Sequence, residues 1–140
     1  MEKQEIMKNK LIKLLDNSYS PYSKFRVASI LVMKDGTEFN GVNVENASYG
    51  ASICSERSAI VSAISNGYKK GDFDSLYVMC GDSNIISTCC FACRQVINEF
   101  FLPDDIITCF DNSGNYKEFK VSELCPYPFT EEDLKWKVGL

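Results

Sequence analysis

The sequence predicts an α/β domain in which a mixed sheet of about five strands is covered by helices. Segments whose apolar residues recur at helical spacing alternate with short runs rich in Val, Ile and Leu. The chain has 140 residues, of which 45% are hydrophobic, which is the size and core content of one ordinary domain. Since no repeat or linker-like run interrupts it, we expect one domain over residues 1–140.

The first half of the chain predicts a helix followed by a hairpin. Residues 5–15 place Ile and Leu among Lys and Glu, as an amphipathic helix does, and residues 20–23 (SPYS) end it. Residues 27–33 are a run of apolar strand formers, residues 34–37 (KDGT) form a turn, and residues 38–44 resume an extended pattern.

The second half alternates helices with strands. Residues 53–66 have a helical rhythm that closes at Gly67, residues 76–80 form a short strand, and residues 91–101 form a helix that Pro103 stops.

The last strands are predicted at residues 106–110 and 116–121, around the turn at 111–114, and Thr130 is placed to cap a final helix. The predicted order is α-β-β-α-β-α-β-β-α.

Charge and hydropathy argue against two classes of partner. The formal net charge is -4, so no broad electrostatic attraction to nucleic acid is expected. The longest apolar runs are too short to span a bilayer, and the Lys-rich N-terminal segment lacks the apolar stretch of a signal peptide. We therefore expect a cytoplasmic protein with neither a nucleic acid nor a membrane as partner.

The cysteine and histidine counts point toward metal chemistry. Seven cysteines, an odd number, in a chain without an export signal favour metal binding or catalysis over disulfides. There is no histidine, so acid-base work near neutral pH falls to a carboxylate, a metal-bound water or a perturbed Lys, Tyr or Cys.

Two cysteine motifs contain the candidate metal ligands and an adjacent carboxylate. Cys54 comes two residues before Glu56, and Cys90 and Cys93 are three apart at the start of a predicted helix, on one helical face. Helix N-termini stabilise thiolates. Three cysteine ligands leave one tetrahedral position of zinc open for water, which predicts a catalytic site. Cys80, Cys109 and Cys125 join no motif, and we expect them to pack in the core.

These motifs are typical of a known enzyme class. A Cys or His two residues before Glu, followed by C-x-x-C, marks the zinc-dependent nucleobase and nucleoside deaminases. The chain resembles the small cytidine deaminases over nearly its whole length, through SPYSKF at 20–25, NVENA at 43–47, CSER at 54–57, ACRQV at 92–96 and LCP at 124–126, ending in Phe129.

The resemblance implies a three-layer α-β-α sandwich with helices on both faces, and a mechanism. Zn²⁺ lowers the pKa of its bound water, and hydroxide attacks C4 of cytidine or 2′-deoxycytidine. Glu56 takes the water's proton, delivers a proton to N3 and later delivers one to the departing amine, so that uridine and ammonia result. A structural alternative for Glu56 is capping of its helix. The implied context is pyrimidine salvage.

The resemblance also assigns residues around the metal and the substrate. Arg57 would hydrogen-bond the ligand thiolates and offset their charge. Asn43 and Glu45, on the same side of a strand, suit the ribose hydroxyls. The remaining assignments are Phe25 against the base, Ser55 beside the substrate, Tyr49 at a subunit boundary, and Phe129 closing the site of a neighbour in a homotetramer with composite active sites.

The chain departs from the family pattern at several positions. Cys89 stands where a proline is usual, and it could compete for zinc or oxidise. Because Cys90 keeps the required spacing to Cys93, we expect Cys90 to be the ligand and Cys89 a bystander. Phe91 stands where a glycine is usual, and it either crowds the pocket or points outward. Arg26 and Ala28 also replace a common proline and glycine. Arg94 follows a ligand but could equally be solvent-exposed.

Three rival interpretations remain open. A related deaminase could act on another aminated base or an antibiotic nucleoside, against which Asn43 and Glu45 argue. A polynucleotide deaminase would want a basic groove, which the charge pattern does not offer. A structural zinc module would need a fourth protein ligand, for which only Cys89 is nearby.

Overall fold

The computed structural model describes residues 2–137, which form one mixed sheet with helices on both faces. The strands are β1 (Val27–Met33), β2 (Glu38–Val42), β3 (Phe73–Cys80), β4 (Ile106–Phe110) and β5 (Tyr116–Lys120). The sheet order is β2-β1-β3-β4-β5. Only β3 and β4 run parallel among these neighbours, and the other pairs are antiparallel.

The helices are α1 (Lys3–Leu14), α2 (Ser55–Ser65), α3 (Phe91–Phe100) and the short α4 (Val121–Leu124). Three short 3₁₀ segments add Leu15–Asn17, Tyr49–Ala51 and Glu131–Lys137. Within residues 2–137 no helix is long and apolar enough to cross a membrane.

Two hydrophobic clusters give the fold its three layers. On one face, Met7 and Leu11 of α1 pack against Ile30, Val32 and Met79. On the other face, α2, α3 and α4 bury a larger cluster, which includes Leu31 and Met33. Successive residues of β1 point to opposite faces and both faces are covered, so every residue of the strand except Ser29 is apolar. The predicted α-β-α sandwich is confirmed.

The structure corrects several predicted boundaries. β2 ends at Val42 and not at residue 44. β3 begins at Phe73, earlier than residue 76. β5 ends at Lys120 because Val121 already starts α4.

The two predicted helix ends have different outcomes. Gly67 closes α2 with a φ of +95°, as predicted. The helix after Thr130 is 3₁₀ and not α, although Thr130 caps it by accepting from Glu132 N at 3.3 Å and donating its own N–H to Asp133 Oδ2 at 2.9 Å.

Candidate zinc and active site

Three cysteine sulfurs meet where α2 and α3 begin. Cys54 is the N-cap of α2, Cys90 is the N-cap of α3, and Cys93 lies in the first turn of α3. Their Sγ atoms all lie within 4.8 Å of one another, and this is the one such group of potential metal ligands among residues 2–137. The predicted placement of the three cysteines at two helix starts is therefore confirmed.

Arg57 supplies positive charge to this sulfur cluster. Its Nη2 donates to Cys54 Sγ at 3.5 Å, and hydrogen bonding to Cys54 and Cys93 raises the pKa of the guanidinium. The pKa of Cys54 is lowered to about 5, first by the hydrogen bond from Cys93 and then by Arg57. The hydrogen bond to Cys54 together with burial raises the pKa of Cys93.

The donor set fits zinc. Thiolates are soft ligands that zinc accepts in tetrahedral sites, and three of them leave one position free. Arg57 Nε is buried and has no hydrogen-bond partner among the described residues. A buried donor without an acceptor is costly. Sulfurs that are deprotonated around a bound metal ion carry negative charge, which offsets the cost of burying this arginine.

Cys89 stays outside the cluster although it precedes a member of it. Its side chain is buried in the core on the α2 and α3 face. A hydrogen bond with Cys109 and burial raise the pKa of its thiol well above the usual value. The described cluster therefore has three cysteines and no fourth, which disfavours a closed structural site.

A cavity of about 330 Å³ opens beside the sulfurs. It brings together most of the residues that the sequence assigned to the site: Phe25, Asn43, Glu45, Cys54, Ser55, Glu56 and Cys90. Its volume lies within the range of small-molecule pockets. Glu56, only 4% exposed, thus faces the same space as two of the three sulfurs.

Asn43 and Glu45 line this cavity and also form hydrogen bonds with the backbone of the segments around it. Asn43 Oδ1 accepts from Val27 N at 2.9 Å, and Asn43 Nδ2 donates to Phe25 O at 2.7 Å. Glu45 Oε1 accepts from Tyr22 N at 3.0 Å and from the backbone N–H of the next residue at 3.1 Å. One Asn43 N–H remains for a ligand, as do lone pairs of Glu45.

The Glu45 carboxylate is held in its charged form. Ser23 Oγ donates to Glu45 Oε2, and this hydrogen bond is the main reason that the pKa of Glu45 is lowered. Lys24, which follows Ser23, has a φ of +60°, an uncommon backbone conformation for a side-chain-bearing residue. The turn that donates hydrogen bonds to Glu45 therefore includes a residue in a strained backbone conformation.

The single chain does not bring Tyr49 and Phe129 to the cavity. Neither lines it, and they are 79% and 58% exposed. Phe91 is also exposed and carries the Arg94 guanidinium 4.4 Å from its ring centroid, so Phe91 does not crowd the pocket. Arg94 donates to Cys89 O and to Leu124 O, and so it anchors the loop before α3.

Sequence reasoning missed some of the cavity wall. Cys80, Ser87 and Thr88 also line it. Ser87 and Thr88 come just before the Cys89-Cys90 pair, and this proximity to a ligand was the available signal. Cys80 was expected to pack in the core, and although it is buried it also faces the cavity.

An α-β-α sandwich in which three clustered cysteine sulfurs lie beside a pocket lined by a buried glutamate defines a zinc-dependent deaminase. The chain belongs to the cytidine and deoxycytidylate deaminase family, because its residues 1–109 match the model described as "Cytidine and deoxycytidylate deaminase zinc-binding region". The predicted resemblance, enzyme class and zinc requirement are confirmed.

Named relatives agree with the family match. The chain is 38% identical to a cytidine deaminase of Halalkalibacterium halodurans over 134 residues, covering 96% of this chain and 98% of that protein. It is 36% identical to a cytidine deaminase of Mycoplasma genitalium over 111 residues, covering 79% and 83%. The crystal structure of cytidine deaminase from Burkholderia pseudomallei superposes with a TM-score of 0.86 at 34% identity, covering 92% of this chain and 100% of that one.

Proposed function

We propose that the protein hydrolyses cytidine and 2′-deoxycytidine to uridine, 2′-deoxyuridine and ammonia, as one catalytic domain over residues 1–140 that serves pyrimidine salvage in the cytoplasm. The observation that carries this function is the position of Glu56, a buried carboxylate that shares a cavity with the sulfurs of Cys54 and Cys90. The names of the relatives supply the substrate.

Each protein group has a definite part in the reaction. Zinc held by Cys54, Cys90 and Cys93 supplies the acidity that activates a water molecule. Glu56 accepts a proton from that water and delivers it to N3 of the pyrimidine. It then takes the proton of the hydroxyl that has added to C4 and delivers it to the departing amine, so one carboxylate acts as base and as acid in turn. Arg57 offsets the negative charge of the sulfurs.

The charge of the cavity favours a nucleoside over its 5′-phosphate. The cavity wall contains no Lys or Arg among the residues described, whereas it does contain Glu45, whose pKa is lowered. A phosphate at this wall would meet the Glu45 carboxylate, and the lining residues themselves offer no cation to pair with it. Neutral ribose hydroxyls can instead use the free N–H of Asn43 and the lone pairs of Glu45, while Phe25 packs on the base.

A homotetramer with composite active sites explains the aromatic residues that lie outside the cavity. Tyr49 and Phe129 are exposed in the single chain, where large apolar side chains often mark contacts between subunits. Sedimentation of the active enzyme tests the assembly, and a stable and fully active monomer would contradict it.

Replacement of Glu56 by Gln tests the catalytic proposal. We expect Glu56→Gln to keep its zinc and to lose turnover of cytidine by about 100-fold or more, because general acid-base catalysis contributes that much. Glu99→Gln, an exposed glutamate on α3, is the matched control and keeps both. Unchanged turnover of Glu56→Gln would exclude the role of Glu56, and a wild-type enzyme that releases no ammonia from either nucleoside would exclude the substrate.

A further inference from the structure

A line of three buried polar side chains leads from the sheet to Glu56. Ser29 Oγ lies 2.6 Å from Ser55 Oγ, and Ser55 Oγ donates to Glu56 Oε1 at 2.9 Å. Ser29 and Ser55 are both 0% exposed. Buried hydroxyls are retained in cores where they satisfy one another or a charged group, so this line calls for an explanation.

The hydrogen bonds in this line have one consistent direction. Ser55 Oγ donates to Glu56 Oε1, and a hydroxyl has only one proton to give. Ser29 must then donate to Ser55 Oγ. The result is a directed pair of hydroxyls that ends on one oxygen of the carboxylate.

Both serines are fixed by the fold. Ser29 lies in β1, which is hydrogen-bonded on both sides, with Gly41 of β2 and Val78 of β3 as its register partners. Ser55 opens α2. The first turn of α2 rests on β2 at the glycine, because a side chain there would meet Ser55 O at 2.2 Å.

We propose that Ser29 and Ser55 are positioning residues that hold the Glu56 carboxylate by Oε1 and so leave its second oxygen for the proton transfers. This inference rests on the proposed function of Glu56. A glutamate side chain has several rotatable bonds, and a catalytic group held in its productive orientation avoids the cost of finding it during the reaction. Hydrogen bonds to a charged acceptor are the stronger kind, which suits such an anchor.

Two single variants and their combination test the inference. In Ser55→Ala we expect kcat for cytidine to fall about tenfold or more, as for loss of one hydrogen bond to a charged group. KM and zinc content should stay within about twofold, because the variant removes one hydroxyl and leaves the metal ligands and the other cavity-lining residues unchanged. Ser29→Ala should have a smaller effect on kcat and none in the Ser55→Ala background, because it acts only through Ser55.

Thermal stability should move differently from turnover. Ser55→Ala leaves the Ser29 hydroxyl buried without a partner and lowers Tm, whereas the double variant removes both hydroxyls and regains stability. We therefore expect kcat to remain low in the double variant while Tm recovers. Ser75→Ala, a buried serine of β3 bonded to Asp74, is the matched control and keeps the wild-type kcat.

Three outcomes would overturn the inference. If kcat recovers together with Tm in the double variant, the pair only fills the core. If Ser55→Ala raises KM at constant kcat, Ser55 contacts substrate instead. If Ser55→Ala keeps the wild-type kcat, it has no part in turnover.

Failure of the proposed function can be told apart from failure of the role proposed for Ser29 and Ser55. It would show as a wild-type enzyme inactive on cytidine. Crystal structures of wild type and Ser55→Ala would then decide the inference by themselves, since an unmoved Glu56 carboxylate overturns it and a displaced one supports it.

Discussion

Gly41 is the position where the sheet and the catalytic helix come closest. It lies in β2, and a Cβ built on it would be 2.2 Å from Ser55 O and 2.6 Å from Ala59 N, both backbone atoms of α2. Backbone cannot rotate aside as a side-chain end can. Gly41→Ala therefore forces α2 away from the sheet.

The size of this shift can be worked from the contact. Ordinary van der Waals contact begins near 3.4 Å, so α2 must retreat by about 1 Å. Cys54, Glu56 and Arg57 move with α2, whereas Cys90 and Cys93 belong to α3. Overpacking of this kind costs about 1–3 kcal/mol in the free energy of unfolding, and misplacement of catalytic groups by about 1 Å lowers kcat/KM about 100-fold.

Steady-state deamination of cytidine, zinc affinity by competition with a chelator, and thermal melting together test Gly41→Ala. We expect all three to fall. Gly50→Ala is the matched control, because a Cβ there meets nothing within 4 Å and its φ is ordinary. Wild-type kcat/KM and zinc affinity in Gly41→Ala would refute the view that contact with β2 sets the position of α2.

Substitutions at Arg57 and Ser23 test two further groups of the site. Arg57→Ala should weaken zinc affinity about 10–100-fold in chelator competition, since partners of metal ligands commonly matter that much; Arg57→Lys should restore only part of it, and equal affinity in Arg57→Ala and wild type would contradict the role. Ser23→Ala removes a donor to Glu45 and should raise KM for cytidine about fivefold with little change in kcat. An unchanged KM would show that Glu45 keeps its position without Ser23.

The parts of the site that the sequence predicts are those encoded locally. Cys90 and Cys93 are three residues apart at a helix start, so one turn of helix is enough to bring their sulfurs together. β1 and β4 were predicted with the bounds that the structure has, because each is a mostly apolar run, broken only by Ser29 or Thr108, that turn residues follow. Cys54 has no second cysteine within one helical turn, so its assignment to the site depended on Glu56 two residues later.

The parts that the sequence does not reveal depend on tertiary contacts. Ser29 sits inside an apolar strand run and shows no pattern, and only the packing of α2 on the sheet brings it to Ser55. β2 stops at Val42 because the Asn43 backbone carbonyl accepts from Tyr19 N, and the Asn43 side-chain oxygen accepts from Val27 N in its place. Neither the Ser29–Ser55 contact nor the end of β2 can be predicted from the sequence, because both depend on tertiary packing.

The neighbouring thiols of Cys89 and Cys90 show how the backbone selects a ligand that residue type alone cannot. Cys90 has an extended conformation, with φ -66° and ψ 162°, and successive side chains of extended backbone point to opposite sides. One sulfur can therefore join the cluster while the other faces the core, and Arg94 holds this arrangement through its hydrogen bond to Cys89 O at 2.7 Å. Because the Cys89 side chain is buried in the core on the α2 and α3 face and lies outside the group of three sulfurs, it is not placed to compete for zinc.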